Sequence, residues 1–484
     1  MTNHARPVAE TCVRIIREPG YTPMTPRKRE VCWNFGIPPR EQPFAITGDI
    51  TIRLRPGTIV LLVGPSGSGK SSILAALAEQ CPGVVWAGRK RFPREGSVVD
   101  AVSPRRPLTG VLELLTACGL GEPRLWVRRF DDLSEGEQLR AGLARAIGRS
   151  LDDPGAGPIL CDEFSGAFHR RAAKALAYNL RKLVSRERLT LVAATAHEDV
   201  IADLQPDQLI RLGDGPPVVT RPAVRERTIS LHRCASIERG TVGDYHLFSP
   251  MHYRHRDRLG FVDQVYVLRE SPRGQPLGIL VFAHAPLELA LRNRCTRNRF
   301  VRNPRRLNRE LRILRRLIMH PDVRGCGLGH WFVKNTLPHV GVRFIECLAA
   351  MGAVNPVFER AGLRRVGRCP VPRGRLALLK RLERWSVDPF APDFPDSITR
   401  CPRVRRLVES TLRRWAASMQ SGHPYRVDGR SGDDLARAFR QIIGDPPVYY
   451  LWDRHGVYPL PAGDDAAADE GSDPPGSPHC GPVV

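Results

Sequence analysis

No stretch of the 484-residue chain approaches the ~18–20 consecutive apolar residues that a membrane span needs. The first ten residues also lack the apolar core of a secretory leader. The apolar run at 59–63 is far too short, so any membrane part this chain serves is expected on another polypeptide. CxxC pairs are missing as well. The twelve cysteines, Cys81, Cys161, Cys295 and Cys347 among them, are scattered singly, with no Cys/His cluster at zinc spacing. This excludes a zinc module and fits reduced thiols in a cytoplasmic protein. Acidic residues are in deficit: 74 Lys and Arg stand against 50 Asp and Glu, a formal net charge of +24. A surplus of that size suggests a polyanionic partner, DNA or RNA. A GC-rich genome that favours Arg over Lys gives the same surplus without one. No internal repeat is present.

What is present is enough apolar sequence, 42% of the chain, for two or three domains at roughly 100–200 residues each. Residues 1–44 read as a basic, proline-containing arm with one strand. Residues 45–225 alternate short apolar runs with amphipathic helices, the pattern of an α/β domain with a mainly parallel sheet. Gly215, Pro216 and Pro217 mark its exit. A second α/β unit is expected at 226–383. Residues 384–461 read as a C-terminal helical extension, with a helix near 403–419 and a tyrosine-rich segment at 448–452. Residues 462–484 are acidic and rich in small residues, and are expected to be disordered.

The run at 59–63 leads directly into GPSGSGKS at 64–71, which matches GxxxxGK[ST], and a helical pattern follows. Strand, glycine loop and helix together make a phosphate cradle. Gly64, Ser66, Gly67 and Gly69 let backbone N–H groups converge, and the helix N-terminus adds partial positive charge. Lys70 is expected to reach the β- and γ-phosphates of ATP, Ser71 to bind Mg²⁺, and Ser72 to line the site. A later apolar run ends in Asp162 and Glu163. Asp162 is the expected second Mg²⁺ ligand, and Glu163 the group that polarises the attacking water.

Between these two segments lies LSEGEQ at 133–138, followed by a helix. This resembles the LSGGQ signature of the ABC ATPases. His197 stands one strand after the two carboxylates. Alone it reads as an ordinary loop histidine, but there it matches the family's switch histidine. The resemblance covers roughly 45–215 and implies a P-loop ABC-type ATPase domain. It also implies an ATP-driven head-to-tail homodimer, in which Ser134 and Gly136 of one copy contact the γ-phosphate held by Lys70 of the other. The pattern departs from the family in three places. Glu135 replaces the first glycine of the signature pair, no glutamine stands clearly at the Q-loop position, and His169 replaces the D-loop aspartate.

A second glycine turn follows an apolar and arginine-bearing strand at 311–319. It reads HPDVRGCGLG at 320–329 and opens a helix. This resembles the acetyl-CoA motif [RQ]xxGx[GA] of the GNAT acetyltransferases, with Arg324, Gly327 and Gly329 in the motif positions. Met319, Gly325 and Leu328 are expected beside the cofactor. NPVFERAGL at 355–363 resembles the family's NPxFExxGF segment and adds Asn355 and Phe358. Residues 264–269 and 276–282 resemble its central hairpin. The implied fold is a mixed sheet with flanking helices. Together the two resemblances are to microbial and phage proteins in which an ABC-type ATPase is fused to a GNAT domain. Many GNAT enzymes carry a catalytic tyrosine where this chain has Phe358, so Glu346, His252 and Tyr253 are candidate acid/base groups, with a structural role equally open for the last two. Between Arg292 and Arg316 arginines recur at 294, 297, 299, 302, 305, 306, 309, 312 and 315. Arginine forks suit phosphates, so this stretch is the expected DNA or RNA contact; a solvated charged loop is the plain alternative.

Overall fold

The apolar run at 59–63 becomes the strand Thr58–Val63, central in a six-stranded sheet. Thr190–Thr195 lies parallel on one side and Gln208–Arg211 on the other. Ile159–Cys161 and Val85–Ala87 extend the sheet in parallel beyond Thr190–Thr195. Val218–Thr220 closes the opposite edge antiparallel. Parallel strands covered on both faces read as unbroken apolar runs, which made the expected parallel sheet legible. The helix Lys70–Gln80 packs Ile73, Leu74 and Leu77 into a core with Val60, Leu62, Val192 and Ile210.

The computed structural model describes residues 9–458 apart from 18–21, 39–43, 46–47, 89–91, 94, 167–168, 214, 221–227, 253–258, 370–373, 418–426 and 428. The acidic tail at 462–484 and the candidate Tyr253 lie outside the described residues. Among those described, no helix is long and apolar enough to cross a membrane.

Residues 1–44 are not simply an arm. Ala9–Val13 pairs antiparallel with Ile50–Leu54. Val13 and Ile15 enter the same core as Ile50, Ile52 and Leu54. A helix, Pro26–Phe35, follows. Thr25 caps it, its hydroxyl accepting from Lys28 N at 3.2 Å.

The chain divides into two units, one of Met1–Leu259, Gln264–Val281 and Arg316–Thr336, the other of Gly260–Asp263, Phe282–Arg315 and Leu337–Val484. The boundary expected at 225/226 therefore does not separate them: the second glycine turn shares a unit with the phosphate cradle. That first unit also carries Ser236–Gly240, paired antiparallel with Val265 to Arg269. A turn closed by Glu270 N–H donating to Gln275 O (3.0 Å) leads on to Pro276–Ala283, which forms the expected hairpin.

In the other unit, Leu311 to Leu314 register in parallel with Phe344 to Cys347. The tyrosine-rich segment is the strand Val448–Asp453, antiparallel to both Phe344–Ala349 and Arg364–Arg368 and seated between them. The expected C-terminal helical extension is thus a helical insertion whose far end returns to the sheet. Its helices Phe394–Arg400, Pro402–Ala417 and Gly432–Ile443 enclose Phe394, Ile398, Val404, Leu412, Phe439 and Ile443. The arginine-rich stretch is folded too. It forms the helices Ala290–Cys295 and Pro304–Glu310, and Leu291, Leu307 and, from the segment between the helices, Phe300 share a core with Phe344 and Leu451.

Candidate functional site

The cradle owes its shape to three glycines. Gly67 (φ 84°) and Gly69 (φ 90°) take the left-handed conformation that favours glycine. A Cβ on Gly64 would stand 2.4 Å from the Leu212 carbonyl oxygen. The Lys70 ammonium folds back over the loop and donates to Gly64 O (2.7 Å) and Pro65 O (2.6 Å). Burial lowers its pKa, while the nearby Asp162 carboxylate opposes the shift. Ser66 and Ser71 are exposed and Ser72 is half-buried. The donor set fits a triphosphate with Mg²⁺: a cation, a helix N-terminus, a free hydroxyl at Ser71 and the carboxylate of Asp162.

Asp162 and Glu163 leave the C-terminal end of Ile159–Cys161, the edge where open α/β sheets bind ligands. Asp162 Oδ1 accepts from Glu163 N at 2.9 Å. Glu163 is exposed and holds φ 50°, a backbone setting that costs a non-glycine residue on the order of 1–3 kcal/mol. Phe164 N–H donates to Ala194 O (2.7 Å), tying this turn to the neighbouring strand. His197 follows that strand, with its N–H donated to Thr195 Oγ1 (3.1 Å). Elements far apart in sequence thus bring Lys70, Asp162, Glu163 and His197 to one edge of the sheet.

Ser134 caps the helix Glu135–Asp152 in a reciprocal box with Glu137, whose Oε2 accepts from Ser134 N at 2.9 Å. The S-x-x-E spacing at 134–137 is the local signal of such a box, and it overlaps the signature motif. The cap leaves Ser134 exposed and Gly136 in the first turn, at the positive end of an 18-residue helix.

In the second turn Gly325 (φ 82°) and Gly327 (φ 91°) again take the left-handed conformation, and the helix Leu328–Thr336 begins at once, with Gly329 in its first turn. Leu328 is buried and Met319 nearly so. Arg324 departs from expectation. Its guanidinium is spent on protein carbonyls, donating to Met319 O (3.0 Å), Met251 O (2.7 Å) and Gly121 O (3.4 Å), with Glu122 at 3.9 Å. Its side chain braces the turn and is not presented to a ligand. A Cβ on Gly325 would meet Thr116 O at 2.9 Å and Asn179 Nδ2 at 3.1 Å, so the turn packs against the helices Leu108–Ala117 and Arg170–Arg186. Asp322 Oδ2 lies 3.6 Å from His169 Nδ1, 3.8 Å from Arg171 Nη2 and 3.4 Å from His320 Nδ1. Burial holds the His320 imidazole below its ordinary range, against the pull of Asp322.

The remaining candidates are dispersed. Glu346 is fully buried, pairs with Arg292 at 3.1 Å and accepts from Tyr449 Oη at 2.9 Å. Burial pushes its carboxyl up, against Arg292 and Tyr449. Enclosed in this way, Glu346 cannot serve as a base for an outside acceptor. Arg292 is equally buried and leaves the basic surface. Arg294, Arg297, Arg302, Arg305, Arg309 and Arg315 stay exposed. His252 is half-buried, and its carbonyl accepts from Arg124 Nη2 at 3.3 Å. Asn355 caps its own turn by accepting from Val357 N (3.2 Å). Phe358 is buried against the Tyr450 ring at 5.5 Å.

A family model described as ABC transporter matches residues 47–152. The aliphatic sulfonates import ATP-binding protein SsuB 2 of Nocardia farcinica is 32% identical over 184 residues, 34% of this chain and 73% of the relative. SsuB 1 of Paracoccus denitrificans is 31% identical over 185 residues, again 34% of this chain and 73% of the relative. A solved ATP-binding cassette in its ADP conformation matches at 17% identity and a TM-score of 0.28, over 37% of this chain and 86% of that one. With the glycine cradle, the paired carboxylates and the capped signature helix in one unit, and a relative of this identity spanned over most of its length, the chain belongs to the ABC ATPase family.

Proposed function

We propose that this chain is an ATP-driven switch joined to an acyl-CoA-dependent N-acetyltransferase that works on or near nucleic acid. The observation that carries the reading is the recurrence of one device in one unit. Twice a strand ends in left-handed glycines that open directly into a helix, at 64–71 and at 320–329. Such a turn is suited to a phosphate group.

At the first turn, Lys70 and the loop amides hold the ATP phosphates. Ser71 and Asp162 would hold Mg²⁺, whose charge offsets that of the β- and γ-oxygens. Glu163 orients the attacking water, and His197 faces the γ-phosphate. Ser134 and Gly136 serve a second copy of the chain, which makes the working form a homodimer.

At the second turn, the backbone of Gly325, Gly327, Leu328 and Gly329 receives the acetyl-CoA pyrophosphate, with Met319 behind it. By the family resemblance, Asn355 and Phe358 are further cofactor residues. The mixed sheet, the hairpin and the NPVFERAGL turn support this reading. His252 and Tyr253 remain the proposed proton-handling pair. The two devices meet at Asp322, which His169 and Arg171 reach from the segment just after the Glu163 turn. ATP-dependent movement of that segment is thereby passed to the glycine turn. The exposed arginines between 294 and 315 steer an acceptor bound to nucleic acid.

Phe358 favours a second reading, in which the second turn binds acyl-CoA without turnover, since a phenyl ring cannot donate a proton. The relatives' names speak of import, and co-purification with a membrane chain would revive a transporter reading. Labelled acetyl-CoA, offered with DNA, RNA and protein, with and without ATP, tests the main proposal. Transfer is expected to be ATP-sensitive in the native chain and ATP-insensitive in Lys70→Ala. Label bound but never transferred would favour the binding module. Transfer unchanged by Lys70→Ala would sink the coupling.

A further inference from the structure

The helix Pro402–Ala417 serves none of the sites above. One face is core: Val404, Leu407, Val408, Thr411, Leu412 and Ala416 are buried. The other face is arginine. Arg403, Arg406, Arg413 and Arg414 are exposed. Glu409 is the helix's one acid and is already engaged, 2.9 Å from Arg405 and 3.6 Å from Arg413. Among the described residues no carboxylate pairs with Arg403, Arg406 or Arg414. Arg406 Nε and Arg414 Nε instead donate to the helix's own carbonyls at Pro402 and Ser410, both at 3.3 Å.

General arginine enrichment does not account for this. The whole chain sets 74 Lys and Arg against 50 Asp and Glu. The helix sets Arg403, Arg405, Arg406, Arg413 and Arg414 against Glu409 alone.

The arrangement works against the helix itself. Cations three or four residues apart repel. Arg403 and Arg405 sit in a first turn that holds no acid, where the helix dipole is already positive. Two guanidinium groups, Arg381 at 5.0 Å and Arg403 at 5.1 Å, share the one ring of Trp385. A bound polyanion relieves all three conflicts at once.

The face is also the right shape. Arg403, Arg406 and Arg413 follow one another at offsets of three and seven, so they share a stripe about 15 Å long at 1.5 Å per residue. An α-helix fits the B-form major groove, whereas the A-form major groove is too deep and narrow for side-chain reading. With arginine dominating the stripe, contact is to phosphates, which position a duplex without reading its sequence.

We infer that the outer face of Pro402–Ala417 docks on the phosphates of duplex DNA. This deepens the proposed action near nucleic acid and rests on that part of the proposal alone, independent of acetyl transfer.

The test uses the full chain and fluorescence anisotropy with a labelled DNA duplex, an RNA duplex of the same sequence, and a salt series. Arg403→Glu, Arg406→Glu and Arg414→Glu together should weaken DNA binding at least ~10-fold. They should also reduce the slope of log affinity against log salt by about 3, near 0.9 for each phosphate no longer neutralised. Glu at position 403 suits the helix dipole, whereas Glu at 414 opposes it and Glu at 406 faces Glu409, so the melting temperature is followed alongside, and the triple Arg→Gln variant, which adds no acid, separates weaker binding from unfolding. The triple Arg→Gln variant should fall between. ATP hydrolysis should stay at the native rate.

DNA binding and salt slope unchanged in the triple variant would overturn the inference. So would a native chain that binds the RNA duplex as tightly as the DNA. Loss of binding in Arg305→Glu/Arg309→Glu, with the helix variants unaffected, would refute this face while leaving the nucleic-acid proposal standing. No binding of any nucleic acid by the native chain would end both.

Discussion

Asp453 shows how much one carboxylate holds at the end of a strand. Its side chain has no solvent exposure. It accepts from Arg343 Nε (3.0 Å) and Nη2 (3.3 Å) and from the backbone N–H groups of His455, Val457 and Tyr458. Burial alone would raise its pKa, but the Arg343 fork and the amides outweigh that and hold it below the ordinary range. A depressed carboxylate stabilises the fold above its unfolded pKa, and that contribution is lost as pH falls through the folded value. Asp453→Asn should therefore cost about 1.5–3 kcal/mol in denaturant unfolding at neutral pH. The gap between variant and native chain should close as pH drops below ~3.9 toward the folded value. A gap that persists unchanged in acid would show that the carboxylate charge is not what matters. Arg292 and Glu346 teach a different lesson at this scale. Each looks like a surface or catalytic group in the sequence. Each is enclosed because the helix Ala290–Cys295 and the strand Phe344–Ala349 meet with both side chains inside.

The helix Glu135–Asp152 does two jobs with its first turn. The Ser134–Glu137 box satisfies N–H groups that a helix start leaves open. The same turn is the proposed contact to the partner copy's nucleotide. Ser134→Ala should cost about 1 kcal/mol in stability and lower the ATPase rate by far more than that loss implies. A rate that falls only in step with stability would assign Ser134 to capping alone.

Elements such as this are legible because their chemistry is local. The cradle at 64–71, the carboxylates at 162–163 and the turn at 320–329 each lie within one short stretch, bounded by a strand or a helix. Pairing across long distances is not legible in the same way. Ala9–Val13 finds Ile50–Leu54, and Val448–Asp453 finds two strands about a hundred residues earlier. VYYLWD has the aromatic, β-branched composition of a strand, but nothing local names its partners. The bracing role of Arg324 is hidden for the same reason, since its carbonyl partners at Gly121 and Met251 lie far off in sequence.

At the scale of the molecule, a nucleotide switch and a second glycine turn share one unit, and Asp322 stands among the groups reached from the segment after Glu163. His169, which stands where the family has an aspartate, makes that contact, and in the proposed coupling this departure is the outlet of the ATPase. All of this depends on ATP being held at 64–71 and drawing two copies together. The most direct measurement is light scattering on Glu163→Gln, which on the proposed role of Glu163 should bind ATP without hydrolysing it, with and without Mg·ATP. The account predicts a single-copy species that becomes a two-copy species when Mg·ATP is added, and no such change when Lys70→Ala is introduced as well. A mass unmoved by saturating Mg·ATP would contradict it.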